Sequence, residues 1–216
     1  CNTQGKNYFS AQPRLSARYG LTDEVAIKAS FTQMAQYVHL LSSSTIALPT
    51  DLWVPVTKNI RPMRSDQYAL GGYYTGIKGW EFSMEAYYKN MFHVLEYQDG
   101  ASFLASSSGW EDKVEMGDGR SMGVEFLAQK TSGKTTGWIA YTLAKSDRIF
   151  ENGNINNGNR FPYKYDRRHN LNFCVNHTFN QQWDVGLSWV FNTGGTVTVA
   201  EQRMDICRGS CRSNNP

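Results

Sequence analysis

The stretch Trp80–Lys89, WEFSMEAYYK, decides the fold. Trp80, Phe82, Met84, Ala86 and Tyr88 alternate with Glu81, Ser83, Glu85, Tyr87 and Lys89. Successive side chains of a strand point to opposite faces, so this stretch reads as a strand with one apolar and one polar face. Two more stretches repeat the pattern. Leu171, Phe173, Val175, His177 and Phe179 oppose Asn172, Cys174, Asn176 and Thr178, and Trp183, Val185, Leu187, Trp189 and Phe191 oppose Asp184, Gly186, Ser188 and Val190. Weaker versions run over Arg14–Tyr19, Val25–Phe31, Tyr68–Tyr74, Met122–Ala128 and Trp138–Leu143. Together they predict about eight strands.

The connections between these strands alternate in length. Gly20–Asp23, Thr75–Gly79, Thr131–Thr135 and Asn180–Gln182 are short and carry residues that tight turns prefer. Tyr37–Arg64, Glu96–Arg120, Lys145–Arg167 and the stretch from Asn192 onward are long and polar. A compact soluble domain rarely carries several long loops, whereas alternating short periplasmic turns and long extracellular loops characterise outer-membrane barrels.

Alternation alone does not separate a lipid-facing surface from the buried face of a soluble sandwich. Three features favour the membrane. Aromatic residues cluster toward the ends of the apolar faces, as at Trp80, Tyr88, Trp183, Trp189 and Phe191. Charges recur within the polar faces, at Arg14, Arg18, Lys28, Glu81, Glu85, Lys89, Glu125 and Asp184, which are expected to line an aqueous lumen. The alternation of loop lengths is also regular. The predicted fold is all-β: an antiparallel up-and-down transmembrane β-barrel segment of about eight strands in four hairpins. An open edge in lipid leaves backbone groups unpaired, so the sheet is expected to close.

Composition agrees. Hydrophobic residues make up 40% and charged residues 19% of 216 residues, and the mean hydropathy of −0.52 is too polar for a helical membrane bundle. The uncharged run Ala29–Thr50 is interrupted by Gln33, Gln36, His39 and Ser42–Ser44, so it does not read as a spanning helix. The 12 Tyr and 6 Trp suit strands and membrane interfaces. A net charge of +3 without a Lys/Arg run gives no reason to expect a nucleic-acid partner. Position 1 is Cys, not Met, so the chain is expected to be part of a longer one.

No constellation suggests chemistry. Glu81 and Glu85 share a face but stand about 13 Å apart along a strand, too far for paired acid–base work. His169 and His177 are farther apart still, and His39 and His93 fall near loop bases. Cys207 and Cys211 form a C-x3-C pair with no second pair or nearby His, while Cys1 and Cys174 stand alone. There is no G-x-S-x-G nucleophile motif. No catalytic residue, cofactor or metal site is therefore expected. Trp53, Arg61, Arg64, Trp110, Glu111, Asp112 and Arg160 mix aromatic and charged character in or beside the long loops and are candidate ligand contacts. Arg160, Lys164, Arg167 and Arg168 read as interfacial cations where RFPYKYDRRHN re-enters the barrel, or as an anion contact at its rim.

Several segments carry a family likeness: PRLSARYGLTDEVAIKASFTQMAQYVHLLSSSTIALPTDLWVPVTKNIRPMRSDQYALG from Pro13, YYKNMFHVLEYQDGASF from Tyr87, GWEDKVEMGDGRSMGVEFLAQKTSGKTTGWIAYTLAKSDRIF from Gly109, and INNGNRFPYKYDRRHNL from Ile155. In their order and spacing, over roughly residues 7–203, they resemble TonB-dependent receptors of the form common in Bacteroidetes. The resemblance implies an outer-membrane barrel of about 22 strands around a plug domain. It also implies energy supplied through the TonB complex acting on the plug, and active import of a metal chelate, cobalamin-like cofactor, oligosaccharide or peptide. This sequence shows no plug and only part of such a barrel. Residues 1–216 are thus expected to form a single partial barrel domain in contact with outer-membrane lipid, with residues 1–10 and 200–216 poorly ordered or divergent. The alternatives are a passive porin or small structural barrel, and a soluble β-sandwich binding module.

Overall fold

A computed structural model describes residues 2–3, 6–41, 52–98 and 109–195. Its main element is an antiparallel sheet in which the long strands follow one another in chain order. They are β1 (Arg14–Gly20), β2 (Val25–Gln36), β3 (Met63–Tyr74), β4 (Trp80–Tyr97), β5 (Val114–Lys130), β6 (Thr135–Ile149), β7 (His169–Thr178) and β8 (Asp184–Asn192). A two-residue strand, Phe161–Pro162, pairs beside the end of β6. The sheet is open, with β1 and β8 as its edges.

The short turns are built by local side-chain acceptors and glycine. Thr22 Oγ1 accepts from the N–H groups of Glu24 and Val25, and Asn180 Oδ1 accepts from those of Gln182 and Trp183. Gly79 takes φ 75° ahead of β4, a conformation that disfavours a Cβ.

Cross-strand register fixes the two faces. Residues directly opposite one another in a ladder share a face. The row Ile27–Gly72–Met84–Phe126–Tyr141–Leu171–Phe191 therefore lies on one side of β2 to β8. The row Lys28–Gly71–Glu85–Glu125–Thr142–Asn170–Asn192 lies on the other. Trp80 to Tyr88 span about 26 Å along β4 at roughly 3.3 Å per residue. With a strand tilt of 35–45° that becomes about 20 Å of height, comparable to the ~25 Å apolar band of a membrane barrel. Ring contacts mark the apolar face near both ends of the band: Tyr74–Phe82 at 6.2 Å and Trp80–Phe82 at 5.7 Å near the turns, and Phe31–Tyr68 at 5.0 Å toward the loops.

The strands outrun the sequence expectation. β4, β5 and β6 contain 18, 17 and 15 residues. The ends of what reads as the loops Glu96–Arg120 and Lys145–Arg167 are strand, and Arg64 lies inside β3 rather than in the loop Tyr37–Arg64. The apolar signal stops where the ladder does not. Past the apolar band, the same face carries the continuous cross-strand row Gln33–Asp66–Asn90–Arg120–Asp147. These side chains are polar and some are paired, Gln33 with Asp66 and Asp147 with Arg160, so alternation disappears while backbone pairing continues.

At that end β4 carries a bulge between Met91 and Val94, where His93 takes φ 57°. The buried clusters also lie there. A small hairpin, Val38–Leu41 paired with Leu52–Pro55, packs Leu41 and Val54 on Leu95 and Val114. Residues of the connection after β6, Phe150 and Ile155, pack on Val94, with Met63 and Met91 alongside. Leu95 and Val114 belong to the apolar-face side of the sheet and Val94 to the polar-face side, so one connection leans outside the strand extensions and the other folds across the polar face. The tips of the first two long connections, residues 42–51 and 99–108, lie outside the described residues, as do Cys1, Cys207, Cys211 and the tail from residue 196.

Three substitutions test this fold. At Gly137 in β6, φ is +155° and an added Cβ would run into the Cys174 carbonyl of β7, whereas Gly72 in β3 has open space. Gly137→Ala is expected to destabilise the folded barrel by about 1–3 kcal/mol and Gly72→Ala by less than about 0.5 kcal/mol, read as the urea midpoint of the full-length protein. In the small hairpin, burial pushes the His39 imidazole below its ordinary value of 6.5, against a backbone hydrogen bond at Arg61 that favours the charged ring. The folded hairpin thus prefers neutral His39, whereas the opened segment binds a proton below about pH 6.5. Hairpin stability should fall as pH drops through and below that value. Hydrogen exchange at Val38–Leu41 should accelerate accordingly, and His39→Leu should remove the pH dependence.

Candidate functional site

All eight charged residues expected on the polar face lie on one side of the sheet. Arg14 and Arg18 of β1 stand opposite Thr32 and Lys28 of β2. Lys28 is followed by Gly71 and then Glu85, and Glu85 stands opposite Glu125 of β5. Glu81 and Lys89 share that parity on β4, and Asp184 of β8 joins through Thr178. Glu85 accepts from the Tyr73 hydroxyl at 3.4 Å. Like charges placed directly opposite repel, so the Glu85–Glu125 pair suits a wet surface and not a buried one. Cys174 is also on this face, as a free thiol.

The loop candidates divide. Trp53 is 63% exposed on the outer side of the small hairpin, next to Leu40 across the ladder. Asp112 and Arg61 are exposed. Trp110 instead packs against the Leu41–Val54–Leu95–Val114 cluster from a short 3-10 turn, Trp110–Lys113. Glu111 accepts from the Asn59 amide at 2.9 Å, tying that turn to the first connection. Arg64 pairs with Asp66 at 3.1 Å on the same strand. Arg160 is held by Asp147. Trp110, Glu111 and Arg160 are therefore engaged in holding the loop end together, Arg64 is paired along its own strand, and the seven candidates do not converge on one pocket.

The structure also assembles a group of which the sequence singles out only Lys164. Glu96, past the bulge, binds Arg148 of β6 and Lys164 of the following connection. The Arg148 guanidinium lies 3.5 Å over the Tyr163 ring, which meets Tyr165 edge-on. Burial pushes the Tyr163 phenol above its ordinary value, against the pull of Arg148. This network pins the connection after β6 over the polar face. Glu115, opposite Glu96, is buried with both carboxylate oxygens lacking a hydrogen-bond partner among the described residues. A depression of about 510 Å³ opens at the bulge between Arg64, Asp66, Phe92, His93, Asp118 and Glu151. Its one sequence signal is the break in alternation at Phe92–His93–Val94–Leu95, where one residue too many sits on β4.

The histidines hold structure. His177 Nδ1 bonds Thr135 at 2.7 Å, His169 Nδ1 bonds Tyr141 at 2.8 Å, and His93 Nδ1 lies 3.3 Å from the Pro62 carbonyl. Among the described residues no three His, Cys, Asp or Glu side chains are grouped as a metal site, and no helix is long and apolar enough to cross a membrane.

What the molecule presents is a two-faced sheet with a polar wall, an apolar wall and a braced loop end. No curated protein matches the sequence. Over residues 2–204 it matches the family described as TonB dependent receptor-like, beta-barrel. That family comprises outer-membrane transporters, not enzymes, whose partners are in general TonB and an imported ligand. The chain belongs to the β-barrel family of TonB-dependent receptors.

Proposed function

We propose that these strands form part of the wall of a TonB-dependent receptor that actively imports a scarce nutrient, with the apolar face in lipid and the polar face lining the lumen around a plug. One observation carries this reading: the apolar face is uncovered. Leu70, Met84 and Leu187 are 58%, 56% and 60% exposed, and no second sheet packs on them among the described residues. A soluble sandwich would bury this face, whereas a bilayer covers it without protein. The open edges at β1 and β8 fit a larger barrel whose further strands pair there, since unpaired backbone in lipid is costly. The short turns then face the periplasm and the braced loop end faces outward. Trp53, Arg61 and Asp112 remain the loop side chains best placed to meet a ligand. A metal chelate, cobalamin-like cofactor, oligosaccharide or peptide would each suit such a receptor.

Outer-membrane fractionation of cells making the full-length protein, with protease added outside, tests this. The protein should fractionate with the outer membrane, with cleavage confined to connections at the long-loop end, between residues 37 and 64 or between 98 and 113. Soluble protein, or cleavage at the short turns, would overturn the membrane reading or its orientation. Liposome swelling in sucrose separates the passive alternative: a plugged receptor stays tight, and a porin admits the sugar.

A further inference from the structure

Two cations stand on the apolar face where its apolar band ends. Lys145 of β6 lies opposite Met122, in the row that also contains Tyr68 and Tyr88. Arg120 of β5 lies one row farther out, opposite Asp147 and beside Asn90. The two are diagonal neighbours on adjacent strands, roughly 7–8 Å apart at Cα. Both are exposed, and neither takes part in an ion pair among the described residues. The obvious partner of Arg120 is taken, because Asp147 is buried and bound to Arg160. Asp66 on the same row is likewise occupied by Arg64 and Gln33. Asp118 lies one row beyond Arg120, farther from the band. Arg167 adds a third exposed cation nearby, since the carbonyl of Arg168 accepts from the N–H of Ala144 in β6.

Cations that have lost their protein counter-charges, placed at the tyrosine level of a lipid-facing wall, match the depth of lipid phosphates. We infer that Arg120 and Lys145 form a docking site for the phosphate of an outer-leaflet glycolipid, whose acyl chains lie along Met122, Val124 and Leu143 below. Lys145 extends its stem over the apolar band while its ammonium reaches the headgroup level. Arg120 supplies the planar fork that fits phosphate oxygens. The site rests on the membrane reading above, in the orientation that puts the long connections outside.

The test uses the full-length protein purified in mild detergent and native mass spectrometry. The probe is a bisphosphorylated glucosamine-disaccharide lipid, compared with its dephosphorylated form. Wild-type protein should retain the phosphorylated lipid and not the other. The double variant Arg120→Ala/Lys145→Ala should lose affinity by roughly thirty-fold, while Arg64→Ala on the same face should bind as wild type. Equal retention of both lipids, or undiminished binding by the double variant, would overturn the site. Displacement by millimolar inorganic phosphate would show a general anion site and overturn the lipid assignment. Heat-modifiable migration of each protein in gels reports the folded barrel independently, so failure of the barrel reading is distinguishable from failure of the lipid site.

Discussion

On the proposed membrane reading, the fold follows from the need to satisfy backbone hydrogen bonds where no water is available to do it. A strand in hydrocarbon leaves every N–H and C=O dependent on a neighbouring strand. The meander from β1 to β8 meets that need with long antiparallel ladders, pairing β8 with β7, β7 with β6 and so on in chain order. Such ladders fix side-chain parity across the whole sheet, because a slip of one residue would move every charge of a strand to the apolar face. That is why Lys28, Glu85 and Glu125, far apart in sequence, fall in one row.

The part of the fold that lies within the apolar band was legible in the sequence, for a physical reason. There one face of the sheet is apolar and the other polar, so WEFSMEAYYK alternates, and so do LNFCVNHTF and WDVGLSWVF. Beyond the band both faces meet water or loops, and the sequence need not alternate. The ladder still continues through Asn90–Arg120–Asp147, with nothing periodic to announce it. Loop boundaries drawn where alternation stops therefore cut the strands short. The bulge at His93 shifts parity between Met91 and Val94 and hides the remainder of β4 from the same reading.

The candidate site was less legible still. Aromatic and charged residues in the long connections suit ligand capture, but they equally suit bracing. Trp110 and Glu111 turn out to anchor the first two connections to each other, while Arg160 anchors the third to β6. The Glu96–Arg148–Lys164 group joins residues separated by tens of positions, which no local motif could reveal. Bracing of this kind leaves few described side chains of these connections exposed and uncommitted, Trp53 among them. The polar wall contributes a mixed-charge surface on which the loop candidates do not converge.

The central claim is that parity on β4 divides lipid from lumen. Single cysteines placed in turn at positions 82 to 88 of the full-length protein in a cysteine-free background, spin-labelled in bilayers, measure it directly. Collision with oxygen, which concentrates in lipid, should peak at Phe82, Met84, Ala86 and Tyr88. Collision with a water-soluble nickel chelate should peak at Ser83, Glu85 and Tyr87. A period of two in oxygen accessibility with that phase is the predicted result. The opposite phase, or no periodicity, would contradict the account.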